Sequence, residues 1–168
     1  KIINQKYHIF HRDLSPENIL IRENGEPVII DFGNAKNYMR NEGNSMSIVL
    51  KPGFAPPEQY TGKDQGPWTD VYSLAGILYY IISGTKVSPS TERIMGATYE
   101  PLCEKVPECP TSISNAIDRA LVLNPKERIQ DTGSFVESFA SIKQEKKKLK
   151  KRLQMNYGIS QSYISRLE

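Results

Sequence analysis

The spacing of two short polar motifs constrains this chain more than any other feature. His11-Arg12-Asp13-Leu14-Ser15-Pro16-Glu17-Asn18 is followed, thirteen residues after Asn18, by Asp31-Phe32-Gly33. Between them Asn18-Ile19-Leu20-Ile21-Arg22, the turn Glu23-Asn24-Gly25-Glu26 and Pro27-Val28-Ile29-Ile30 predict a β-hairpin. Such a hairpin returns the chain so that Asn18 at one end meets Asp31 at the other, with Asp13 one loop away. Phosphoryl transfer needs this combination at one point. One carboxylate orients an attacking hydroxyl, while a second carboxylate and an amide oxygen hold magnesium on nucleotide phosphates.

The two motifs resemble the catalytic loop and the metal-binding motif of eukaryotic-like protein kinases. Either string alone is short enough to occur by chance. Both in order, with a hairpin between them and Asn18 five residues after Asp13, form a far more specific signal. The resemblance implies ATP with Mg2+ (or Mn2+) as cofactors and a protein substrate whose Ser or Thr hydroxyl is phosphorylated. Asp13 would be the base, Asn18 and Asp31 the metal ligands, and Leu20 the floor of the adenine pocket. His11, Arg12, Phe32 and Gly33 would hold and regulate these groups.

The rest of the chain extends the likeness from about Phe10 to about Ile142. Leu50-Lys51-Pro52-Gly53-Phe54-Ala55-Pro56-Pro57-Glu58-Gln59-Tyr60 resembles the end of an activation segment, with Pro57-Glu58 matching the last two positions of A-P-E. Trp68 to Ile82 is apolar on every face, the pattern of a buried central helix, with Thr69 or Asp70 as its cap. In the family the aspartate at Asp70 hydrogen-bonds the backbone of the catalytic-loop turn. Ile113, Ala116, Ile117, Ala120 and Leu121 mark an amphipathic helix up to Leu123, and 131–142 a last one. Arg128 resembles the family arginine that forms a buried ion pair with the A-P-E glutamate, here Glu58.

Composition sets the remaining bounds. A chain of 168 residues buries one core. Cys103 and Cys109 lack a second pair for a zinc site and read as free thiols, which points to a reducing cytoplasm. The longest apolar stretch, Leu74 to Ile82, is far short of the roughly 20 residues that a transmembrane helix needs. The formal net charge is +3, yet residues 143–152 carry seven basic side chains against one acid, so the remainder sums to −3. Neither a G-x-G-x-x-G loop nor a V-A-I-K-like strand occurs in these residues. The expected fold is therefore α+β and mostly α: a kinase C-terminal lobe (1–142) without its N-terminal lobe, a basic linker or helix (143–155) and a partial helix-turn-helix-like segment (156–168).

Two positions depart from the family pattern. Ser15 stands where Ser/Thr kinases usually carry the lysine that neutralises the transferring phosphoryl group, and it also blurs the Ser/Thr versus Tyr distinction. Lys51 stands where they usually carry a threonine that reaches back to the catalytic loop. A cation is thus lost from one element and gained on its neighbour, and Lys51 is expected to supply the charge that Ser15 lacks. The alternative is a solvated loop lysine in a slow or inactive enzyme. Arg12 is present, and a phosphate on Ser45 or Ser47 would order the activation segment against it; a flexible loop with incidental serines is the competing reading.

Residues 157–168 are similar to the turn and recognition helix of sigma-factor-type helix-turn-helix units, with Gly158 in the turn. Gln161, Ser162 and Arg166 would be the DNA contacts. A plain amphipathic helix is the competing reading. The overall expectation is a bacterial-type serine/threonine protein kinase. The alternatives are a non-catalytic kinase-like scaffold, or a regulator with a DNA-binding tail.

Overall fold

The computed structural model describes residues 9–32, 36–37 and 50–139. Strands β1 (Ile9–Phe10), β2 (Ile19–Ile21), β3 (Pro27–Ile29) and β4 (Lys36–Asn37) pair as two antiparallel ladders, β1 with β4 and β2 with β3. Leu20 faces Val28 across the hairpin. The Asn-Gly turn closes it: Gly25 takes φ +83°, and Asn24 Oδ1 accepts from the Glu26 N–H at 3.0 Å. The Ile30 N–H donates to the Asn18 carbonyl at 2.9 Å, which sets Asp31 two residues beyond the end of β3.

The first hairpin strand, β2, starts one residue later than the run from Asn18 suggests, because Pro16–Asn18 form a 3-10 turn. Pro16 fixes φ at its start, and the Asn18 side chain bonds back to Asp13 instead of standing on a strand face.

Six helices follow among the described residues: α1 (Pro57–Thr61), α2 (Pro67–Ser83), α3 (Ser90–Ile94), α4 (Leu102–Lys105), α5 (Thr111–Ala120) and α6 over 132–139. Among the described residues the regular structure is mostly helical, as the pattern implies. Helix α2 begins earlier than expected. Gly66 is its N-cap and Pro67 occupies the first turn, where a missing N–H costs nothing. Thr69 sits in the third helical position, and its hydroxyl accepts from the Gly66 N–H at 3.2 Å. Asp70 caps nothing, because its carboxylate is turned towards the loop that begins at His11.

Helix α2 is the axis of the core. Val71, Tyr72, Ala75 and Tyr79 pack against Leu102, Ile117, Leu121 and Phe135, while Ile77 joins Leu14 and Phe54 in a second cluster. Burial on every face does not extend to its last turn, where Ile81 is 68% exposed. Helix α5 stops at Ala120, three residues short of the expectation. Leu121 leaves the helix yet stays fully buried.

Candidate active site

The loop from His11 to Asn18 is held from below by α2. Asp70 Oδ2 accepts from the His11 N–H at 2.7 Å and Oδ1 from the Arg12 N–H at 2.9 Å. These bonds pin Arg12 in the left-handed region, φ +68°, a conformation a non-glycine residue keeps only when its surroundings impose it. Burial pushes the Asp70 carboxyl above its ordinary range, against the opposing pull of the two N–H donors. His11 Nε2 donates to the Ile30 carbonyl at 3.0 Å, leaving Nδ1 to accept from the Asp13 N–H at 3.4 Å. Its ring lies 4.7 Å from that of Phe32. His11 thus spans from the 11–18 loop to the residues around Asp31.

The structure brings four of the expected site residues together. Asn18 Nδ2 donates to the Asp13 carbonyl at 2.7 Å and to Asp13 Oδ2 at 3.2 Å. Lys51 reaches in from the far segment: its Nζ donates to Ser15 Oγ at 2.8 Å and lies 3.8 Å from Asp13 Oδ1. Glu17, not singled out by the sequence, adds Oε2 at 3.6 Å from the same ammonium. The Ser15 hydroxyl foremost, then the backbone amide and the Lys51 and Lys86 charges, hold the Glu17 carboxyl below its usual range despite partial burial. Arg12, Asp13, Lys51, Phe54, Gln59 and Ser73 line a small pocket at this point.

Other expected residues are placed differently. Leu20 lies on the hairpin with 54% of its surface exposed. Asp31 has φ +60°, and Phe32 is 43% exposed. Arg12 Nε donates to Gln65 Oε1 at 2.6 Å, and Gln59 Nε2 donates to the Arg12 carbonyl. Burial lowers the Arg12 pKa, with Asp70 opposing. Gly33, Ser45, Ser47, Gln161, Ser162 and Arg166 lie outside the described residues.

The segment that carries Lys51 is fastened on both sides. Phe54 and Ala55 both donate to the Lys51 carbonyl at 3.0 Å, Ser73 Oγ donates to the Phe54 carbonyl at 3.0 Å, and Ser90 Oγ to that of Ala55 at 2.8 Å. Sequence reasoning missed both serines. A hydroxyl inside an apolar helical run was the one signal for Ser73. At the segment's end Arg128 Nη1 meets Glu58 Oε1 at 2.6 Å and Nη2 meets Oε2 at 3.1 Å, a bidentate pair with both side chains buried.

A comparison with known proteins fits this geometry. The sequence matches the protein kinase domain over residues 3–146. The chain belongs to the protein kinase family. This kinase sequence is similar to serine/threonine-protein kinase PknA of Mycobacterium tuberculosis (strain ATCC 25618 / H37Rv), 32% identical over 139 residues that cover 80% of this chain and 32% of PknA. Serine/threonine-protein kinase PknK of Mycobacterium bovis is 32% identical over 125 residues, covering 70% of this chain and 11% of its own. PknA of Nostoc sp. is 31% identical over 142 residues, with coverages of 77% and 24%. The kinase chain therefore spans a third or less of the length of these curated relatives. Among solved structures it is similar to one described as "PpkA-294 apo form", at 41% identity and a TM-score of 0.66, covering 82% of this chain and 48% of that one. The kinase match ends at residue 146, so the segment likened to a helix-turn-helix lies beyond it. No described helix is long and apolar enough to cross a membrane.

Proposed function

We propose that this chain is the C-terminal lobe of a serine/threonine protein kinase, transferring the γ-phosphoryl group of ATP to hydroxyls of protein substrates. The observation that carries the reading is the convergence of Asp13, Asn18, Ser15 and Lys51 from two segments 36 residues apart. Asp13 orients the attacking hydroxyl and accepts its proton. Asn18 steadies that carboxylate through its amide nitrogen. Lys51 brings positive charge to within 3.8 Å of it, where charge develops on the transferring group.

The donor set fits magnesium. Because the Asn18 nitrogen faces Asp13, its Oδ1 is the atom turned to a cation, and Asp31 offers carboxylate oxygen. No cluster of three or more His, Cys, Asp or Glu residues suited to a metal occurs among the described residues, so Asn18 and Asp31 call for an ion that takes its remaining ligands from phosphate and water. When bound, magnesium would neutralise phosphate charge. We read residues 1–142 as the lobe, 143–155 as a basic linker and 156–168 as a separate segment. The thiols of Cys103 and Cys109 support a reducing, cytoplasmic setting.

The test uses the full-length protein. Lys51→Ala should lower kcat for transfer to a protein substrate by about 100-fold, whereas Lys63→Ala, on an exposed loop, should leave it within about twofold. Equal effects would sink the role given to Lys51. Wild-type turnover in Asp13→Asn would sink the kinase reading itself.

A further inference from the structure

We infer that Ser15 is a positioning residue for Lys51, and that the two form one exchanged unit rather than a missing cation and an unrelated one. The inference rests on the kinase reading above.

Ser15 occupies the N-cap of the Pro16–Asn18 turn with extended backbone, φ −161° and ψ +165°, yet its side chain makes no capping bond. Serine is among the residues that most often cap, so the hydroxyl has been diverted. Its oxygen accepts from Lys51 Nζ at 2.8 Å while its proton is directed to the Glu17 carboxylate, and Ser15 is fully buried, so water offers its oxygen no substitute. Three oxygens surround this ammonium: Ser15 Oγ at hydrogen-bond distance, and Glu17 Oε2 at 3.6 Å and Asp13 Oδ1 at 3.8 Å, at ion-pair distance.

The three oxygens differ in what they do. The Glu17 side chain is 63% exposed, so its pull is weak and screened. Asp13 is engaged with Asn18. Ser15 is the neutral, buried acceptor, and it fixes where the ammonium sits without cancelling its charge. The other end of the lysine is fixed too, since its carbonyl accepts from both Phe54 and Ala55. Lys51 is a flexible four-carbon stem, and held at both ends it has little freedom left to lose when a phosphate arrives. Without the Ser15 hydroxyl, the ammonium is free to drift outward to Glu17.

The experiment is a double-mutant cycle in the full-length protein. Ser15→Ala should lower kcat about tenfold through misplacement of the cation, with the nucleotide Kd changed less than about twofold. In a Lys51→Ala background the same substitution should change kcat by less than about twofold. A second, activity-free reading is the rate of amine-reagent labelling of Lys51 relative to Lys63 in the nucleotide-free protein, which should rise in Ser15→Ala. The exchange variant Ser15→Lys with Lys51→Ser should turn over faster than either single variant. Equal losses from Ser15→Ala in both backgrounds, or unchanged labelling of Lys51, would overturn the inference while leaving the kinase reading intact. Wild-type turnover in Lys51→Ala would instead remove the role of Lys51, and this inference with it.

Discussion

At the scale of one residue, Asp70 shows how a buried carboxylate stabilises a backbone shape that nothing local favours. Its two oxygens receive the His11 and Arg12 N–H groups, and Arg12 keeps a left-handed φ of +68° between them. Asp70→Asn retains one acceptor and turns an NH2 towards the other donor, so one buried N–H loses its partner. That should cost about 1–3 kcal/mol and reduce turnover, because Asp13 is the next residue along the loop. The pH dependence has a definite sign. Burial raises the folded-state pKa of Asp70, so the folded protein takes up this proton more readily than the unfolded chain as the pH falls. Protonation then favours folding, and the advantage disappears as the pH rises through the folded pKa. The stability difference between wild type and Asp70→Asn, measured by urea unfolding, should therefore widen between pH 7 and the carboxylate range. A difference that narrows as the pH falls would show that the two N–H donors outweigh burial.

At the scale of elements, the decisive contact is between α2 and the segment bearing Lys51. A Cβ placed on Gly76 would stand 2.8 Å from the Gly53 carbonyl oxygen, a backbone atom that cannot swing aside. Two effects compete in Gly76→Ala. Helix propensity alone would favour alanine by about 1 kcal/mol. Overpacking at a fixed backbone contact costs about 1–3 kcal/mol, and here it should win. The variant should unfold at lower urea, with weaker turnover as Lys51 is pushed off the loop. A stabilised variant would mean that the contact yields. This close approach illustrates what the sequence leaves out. The hairpin is legible because Asn24-Gly25 between apolar runs is a local signal, and α2 is legible because Leu74 to Ile82 is uniformly apolar. The start of α2 is not legible. Thr69 and Asp70 both look like caps, but one answers Gly66 and the other is taken by the loop 58–59 residues away. The fastening serines, Ser73 and Ser90, are invisible for the same reason: their partners are carbonyls distant in sequence.

At the scale of the whole molecule, the pair Glu58–Arg128 joins the end of the site-bearing segment to the turn after α5. All five guanidinium protons have acceptors: Glu58 Oε1 and Oε2 and the carbonyls of Trp68, Val122 and Leu123. The plane also lies 4.9 Å from the Tyr72 ring centroid, and Thr69 Oγ1 donates to Glu58 at 3.1 Å. Family resemblance suggested the ion pair, but the three carbonyls were beyond any motif, because they depend on how the 121–128 turn closes. Forming such a pair gains little over apolar side chains, since both ions lose their hydration. Breaking one side leaves a buried charge, which costs about 3–5 kcal/mol, a large share of the roughly 5–15 kcal/mol that holds a domain together. Arg128→Ala should therefore destabilise more than Glu58→Gln, which removes the charge and keeps the shape. The double variant Glu58→Leu with Arg128→Met should recover stability relative to Arg128→Ala, as no stranded carboxylate remains. Thermal unfolding of the three variants decides it. If the double variant is the least stable, the network of carbonyl contacts, not the stranded charge, dominates the loss.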